Sequence, residues 1–187
     1  AQRSMPSRVT KRRRHGACMA GLLLGLGIGG CATPAERAAE AAAALGLERT
    51  VIPGHGFLHV LYERRGPQPA PTLHVYLEGD GAPDRAWRTV PPDPTTTAPL
   101  VLQLLSLDPA PSLLLGRPCY HGAETCSPWH WQEGRYGEDV VESLAAALRR
   151  LVAERGVREL VLIGHSGGGT LAMLLAERLP AVRGVVT

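Results

Sequence analysis

Between Glu159 and Leu179 the chain changes character twice. A short continuous apolar run, Glu159 to Ile163, gives way at Gly164-His165-Ser166-Gly167-Gly168 to a segment whose leucines, Leu171, Leu174 and Leu175, return with helical spacing. An uninterrupted apolar run of this length is the pattern of a strand covered on both faces. A helix can leave such a strand at once only through a sharp turn, and only small residues two places either side of its apex allow strand and helix to approach so closely. Gly164 and Gly168 meet that requirement, which puts Ser166 at the apex with its hydroxyl raised above the sheet.

The preceding sequence supplies the rest of such a sheet. Val51-Ile52, Phe57 to Glu63 and Thr72 to Glu78 read as strands, split by Pro53-Gly54 and by the turn segment Gly66 to Pro71. Thr95 to Leu107 carries helical spacing after a threonine-rich start, and Ser112 to Leu115 reads as a buried strand. Gly137 to Ala153 predicts a helix with Val141, Leu144, Leu148 and Leu151 on one face and Glu138-Asp139 in the first turn, where the dipole favours anions. Val182 to Val186 reads as a last strand. Strands alternating with helices imply an α/β fold with a mostly parallel sheet and helices on both faces.

The stretch Val161 to Leu171 resembles the strand-turn-helix of the α/β-hydrolase superfamily. That resemblance implies a serine hydrolase of ester, thioester or amide bonds, with Ser166 as catalytic nucleophile, no cofactor and no metal. His165 then occupies the variable position of the elbow, beside the serine and facing away from it. The N–H of Gly167 becomes one oxyanion donor. Val75-Tyr76-Leu77-Glu78-Gly79-Asp80-Gly81-Ala82-Pro83 resembles the superfamily's His-Gly-x-x-Pro loop, with Glu78 where His is usual, and nominates the N–H of Asp80, with Gly81 next, as the second donor. The resemblance also puts the acid and base after the nucleophile, beyond Thr187. The expectation is therefore the N-terminal portion of a hydrolase domain, truncated, inactive alone and open at its last strand. The rival Gly-Asp-Ser-Gly-Gly motif of trypsin-like proteases fails on context, since no long helix follows that serine. A different class of reading is a non-catalytic envelope lipoprotein that uses the fold for binding or scaffolding.

Charge is unevenly placed. The formal +3 comes from Arg3, Arg8, Lys11, Arg12, Arg13 and Arg14; beyond residue 30 the chain carries 14 arginines against 17 acids, a balance of −3. The body therefore lacks a nucleic-acid footprint. Lys11 to Arg14 followed by apolar Ala17 to Ile28 and then Gly29-Gly30-Cys31 reads as a secretory signal over 1–30, too short in its apolar part to span a membrane. Ile28-Gly29-Gly30-Cys31 resembles the lipobox of bacterial lipoproteins, which implies lipid on Cys31; the other reading is an ordinary signal peptide. The lipoprotein reading gives an outer-membrane anchor facing the periplasm and a lipid-like or small ester substrate, with residues 31–48 a lipidated cysteine and helical spacer before a hydrolase portion over 49–187. Thr33-Pro34-Ala35-Glu36 opens that spacer helix with a capping-box pattern.

Export would place Cys119 and Cys126 under oxidising conditions, and the pair is expected to form a disulfide. A metal pair with His121 or His130 is the alternative. Trp87 reads as core packing. Arg117, Trp129, His130, Trp131, Arg135 and Tyr136 fall on the carboxyl edge of the sheet, either walling a substrate pocket or packing around the cysteine loop. Glu78 and Asp80 mildly disfavour a strongly anionic acyl group.

Overall fold

A computed structural model describes residues 32–64, 70–81, 90–123 and 126–187, together with Gln2. Residues 32–187 form one unit. The signal segment, Cys31 and Trp87 lie outside the described residues. No helix among the described residues is long and apolar enough to cross a membrane.

Helix α1 (Pro34–Ala44) leads through Gly46 into β1 (Leu47–Pro53), which turns into β2 (Leu58–Arg64); β3 (Thr72–Leu77), α2 (Leu100–Leu107), β4 (Ser112–Leu115), α3 (Glu138–Arg155), β5 (Glu159–Gly164), α4 (Gly167–Ala176) and β6 (Val182–Val186) follow. The sheet order is β1-β2-β4-β3-β5-β6. β4, β3, β5 and β6 are parallel neighbours, whereas β2 is antiparallel to both β1 and β4. The fold is thus α/β with a mixed, mostly parallel sheet and helices on both faces.

Burial divides the core between the two faces. On one, Val140, Val141, Leu144, Leu148 and Leu151 of α3 and Leu171, Ala172 and Leu175 of α4 pack on Val75, Leu77, Leu113, Leu115, Leu160 and Leu162. On the other, Ala42 of α1 and Val101, Leu102 and Leu105 of α2 cover Val60, Tyr62, Tyr76 and Leu114. The expected spacer helix therefore belongs to the body. Alanines give α1 little bulk, yet their small size lets it lie close on β1, with Ala38 and Ala42 buried. The capping box is formed: the Thr33 hydroxyl accepts from the Glu36 N–H, and Glu36 accepts from the Thr33 N–H.

The threonine-rich start of the second expected helix is not helical. Asp93 accepts from the Thr95 N–H, and the Thr95 hydroxyl accepts from the His121 N–H at 2.7 Å, so these residues brace a loop and α2 begins only at Leu100. Because β1 runs parallel to β4, its first residues lie at the amino edge of the sheet. α1, which feeds it, therefore starts at the carboxyl edge. There the Ala35 N–H donates to Asp93 at 2.8 Å.

Candidate functional site

Ser166 lies between the end of β5 and the start of α4 with φ 54° and ψ −123°, a left-handed backbone that L residues rarely adopt. The glycines around it show what holds the turn. A Cβ on Gly164 would overlap the Gly168 carbonyl and fall 2.5 Å from the Gly169 nitrogen, and one on Gly168 would overlap the Leu77 carbonyl and fall 2.6 Å from that of Glu78. Strand β5, helix α4 and the end of β3 thus meet at contacts that admit no side chain. Such strain persists only where the surroundings over-determine it.

The loop after β3 lies directly against this serine: a Cβ on Gly79 would stand 3.2 Å from Ser166 Cβ. Gly81 has φ 65°, and a Cβ there would overlap the Pro94 carbonyl. Ser166 and His165 are exposed and share a cleft of about 330 Å³ with Glu78, Gly79, Asp80, Gly81, Thr96, Ala98 and Val101. His165 borders the cleft beside the serine, its backbone carbonyl 3.3 Å from the Cβ position of Gly79. Among the described residues no acceptor is bonded to the N–H groups of Asp80 or Gly167.

Asp80 is the centre of a network. Its carboxylate accepts from Arg117 Nη1 at 2.5 Å, from the Tyr136 hydroxyl at 2.8 Å and from Arg135 Nε at 3.2 Å; its carbonyl accepts from the Tyr120 hydroxyl at 2.9 Å. Arg117 is buried, and its guanidinium lies 5.1 Å from the Tyr120 ring centroid and 5.4 Å from that of Tyr136. Burial raises the Asp80 pKa, but the Arg117 and Tyr136 hydrogen bonds and the two guanidinium charges outweigh it, so the carboxyl titrates below its usual range. Burial pushes the Tyr120 hydroxyl up to about 12. Two cations and one carboxylate leave this cluster net positive. The expected tilt against anionic acyl groups is thus removed at Asp80.

Glu78, unlike Asp80, is buried, 3% exposed. His121 Nε2 lies 2.8 Å from Glu78 Oε2 with both side chains buried, but the approach is off the hydrogen-bond direction. His121 itself has φ 60° and packs edge-on against Tyr62, with ring centroids 5.2 Å apart.

Cys119 and Cys126 form a disulfide. Trp131 packs with Cys119 and Tyr120 beside it. His130 Nδ1 lies 3.1 Å from the Ser127 carbonyl, and the His130 donor atom is within 4.8 Å of both sulfurs. Of the two histidines considered for a metal pair, His130 is the neighbour and His121 is committed to Glu78. Trp129 is exposed.

No family model matches the chain, and no curated protein does. Solved structures similar to it include a hormone-sensitive lipase from a metagenome library, 20% identical, covering 82% of this chain and 49% of its own, with a TM-score of 0.46. A bacterial membrane phospholipase A is 22% identical over 81% of this chain and 44% of its own, TM-score 0.48. A proline iminopeptidase-related protein from Thermus thermophilus is 17% identical over 74% of this chain and 43% of its own, TM-score 0.49. The chain spans about half the length of these structures or less.

The convergence on Asp80 was not read from the sequence. Its one signal was Arg117, an arginine placed directly after the apolar run Leu113-Leu114-Leu115. An arginine entering a core implies a buried acid to meet it.

Proposed function

We propose that this is a serine hydrolase of the α/β-hydrolase type, in which Ser166 forms an acyl-enzyme with an ester, thioester or amide substrate. The observation that carries the reading is the Ser166 backbone at φ 54° between β5 and α4, packed against the loop that ends β3. A serine in that position presents its hydroxyl at the carboxyl edge of the sheet, where open α/β folds take their ligands. The N–H groups of Gly167 and Asp80 supply the oxyanion donors, with Gly81 beside them. Loss of one such donor costs about 3–4 kcal/mol of transition-state stabilisation. Among the described residues no histidine is hydrogen-bonded to Ser166, and the resemblance to α/β-hydrolases puts the base later in sequence than the nucleophile.

The test is covalent labelling with a fluorophosphonate, located by peptide mapping. Slow label on Ser166 that added imidazole accelerates and Ser166→Ala abolishes supports the nucleophile; a serine in a folded chain that stays unlabelled even with imidazole favours a non-catalytic binding protein. Independently of Ser166, the lipobox-like Ile28-Gly29-Gly30-Cys31 supports the proposal of an outer-membrane lipoprotein of the cell envelope, facing the periplasm and tethered through Cys31. Incorporation of labelled fatty acid, abolished in Cys31→Ser, checks the tether.

A further inference from the structure

Asp80 is surrounded by more positive charge than one carboxylate balances. Buried Arg117 already meets it, and the Tyr136 hydroxyl lies 2.8 Å from both of its oxygens. Arg135 adds a second guanidinium at 3.2 Å, and among the described residues Asp80 is the one carboxylate within 4 Å of either arginine. One positive charge is in excess. Arg135, with 36% of its side chain exposed against 1% for Arg117, is the one that a solute can reach.

An arginine with that exposure is ordinarily mobile, and fixing it costs side-chain entropy that an exposed ion pair barely returns. Arg135 is nonetheless held on several sides. Its Nη1 donates to the Gln132 carbonyl at 2.6 Å, its guanidinium lies 5.1 Å from the Tyr136 ring centroid, and its own carbonyl accepts from Arg117 Nη2 at 2.9 Å. A guanidinium fixed in place with charge to spare is suited to receive an oxyanion.

The cluster also stands beside the serine. A Cβ on Gly167, the residue after Ser166, would overlap Asp80 Oδ1 and lie 2.5 Å from the Tyr136 hydroxyl, and Asp80 itself lines the cleft. The N-terminus of α4 adds a field of the same sign. The other acid of the cleft, Glu78, is enclosed against His121 and out of reach of a solute.

We infer that Arg135 selects an anionic substrate: its guanidinium binds a carboxylate or phosphate carried by the molecule whose ester, thioester or amide group reaches Ser166. The substrate half of the inference rests on the proposed role of Ser166; the anion site at Arg135 does not.

The experiment uses the full chain with added imidazole and two fluorophosphonates of equal chain length, one ending in a carboxylate and the other in a carboxamide. The carboxylate reagent should label Ser166 several-fold faster at low ionic strength, and salt should reduce the preference by screening. Arg135→Gln should abolish the preference and Arg135→Lys should restore part of it. Arg183→Gln, which removes an arginine that faces Glu159 at the start of β5, should leave it unchanged. Equal labelling by the two reagents overturns the anionic substrate. So does an Arg135→Gln chain in which both rates fall together and the preference survives, because the cation would then serve the oxyanion alone.

The site is tested without the chemistry in Ser166→Ala. Butyrate and butyl phosphate should shift the amide signals of Asp80 and Gly167 saturably, with affinity several-fold weaker in Arg135→Gln, and uncharged butyramide should not. The tighter of the two anions identifies the group. No saturable shift with either overturns the anion site, whereas saturable shifts with Ser166 unlabelled by both reagents leave the site standing and remove the hydrolase reading.

Discussion

Arg117, buried at the end of β4, meets the carboxylate of Asp80, which stands after β3 against the N-terminus of α4. The pair joins the two loops that frame Ser166, and Arg135 and Tyr136 close it from a third side. Removing Asp80 leaves a guanidinium buried without its counter-ion. Asp80→Ala should cost about 3 kcal/mol, the lower end of the range for breaking a buried pair, since Asp80 keeps some exposure. Asp80→Asn retains an acceptor and should lose less. Urea denaturation of both variants measures this, and equal stability of Asp80→Ala and wild type would contradict the network.

The elbow was legible because its glycines are a steric necessity, and so were the alternating strands and helices, because apolar periodicity reports which faces are buried. What surrounds the serine was less so. Asp80, Arg117, Tyr120, Arg135 and Tyr136 come from three loops, and no local pattern records which acid an arginine will meet. Glu78 looked like a departure from a loop motif until His121, remote in sequence, was found against it. The packing of helix α1 is hidden for a related reason: an alanine face shows little apolar bulk, yet Ala38 and Ala42 bury well where a strand allows close approach.

The steric argument at the elbow is open to direct measurement. Gly168→Ala would drive a methyl group into the Leu77 carbonyl, which is backbone and cannot rotate aside. Overpacking of this kind costs about 1–3 kcal/mol. Gly46→Ala is the informative contrast: there nothing lies within 4 Å of the added atom, and only the positive φ of 73° opposes it. Thermal melts should rank Gly168→Ala below Gly46→Ala, and the reverse order would refute the packed elbow.

Reduction should be felt at the same site. The disulfide joins residues 7 apart in sequence, and closing a loop of that size stabilises the fold by about 2.5 kcal/mol in the chain-entropy model. Cys119 lies two residues from Arg117 and next to Tyr120, both bonded to Asp80. Cys126→Ser should lower the urea midpoint and raise amide exchange at Gly79 to Gly81. A lower midpoint with unchanged exchange there would separate the disulfide from the Asp80 network.

His59 sets an acid limit. It is buried in β2, with Nδ1 2.9 Å from the Gly116 carbonyl and Nε2 2.8 Å from the Ser143 hydroxyl. Burial lowers its pKa to about 4 from an ordinary 6.5, against the opposing pull of those hydrogen bonds. The unfolded chain therefore binds this proton first as pH falls. The stability is fully present above about pH 6.5 and is lost between 6.5 and 4, amounting to about 3 kcal/mol at 1.36 kcal/mol per unit. His59→Asn should flatten the stability profile over that window in urea titrations at successive pH values. A wild-type profile already flat there would show that His59 is not held neutral by the fold.

The last prediction concerns the proton that Ser166 must lose. Each described histidine other than exposed His55 and His165 has another partner: His59 has Ser143, His74 is 2.7 Å from Asp108, His121 faces Glu78, and His130 bonds the Ser127 carbonyl. His165 adjoins the serine in sequence, yet no hydrogen bond joins them among the described residues. A serine hydroxyl without a base is a poor nucleophile at neutral pH. Fluorophosphonate labelling of this chain should therefore be slow, and added imidazole, which can take the proton from solution, should accelerate it several-fold at pH 7.5. The acceleration must vanish in Ser166→Ala and persist in His165→Ala. Fast labelling that imidazole does not change would mean that a base already serves Ser166, and loss of that fast reaction in His165→Ala would identify it.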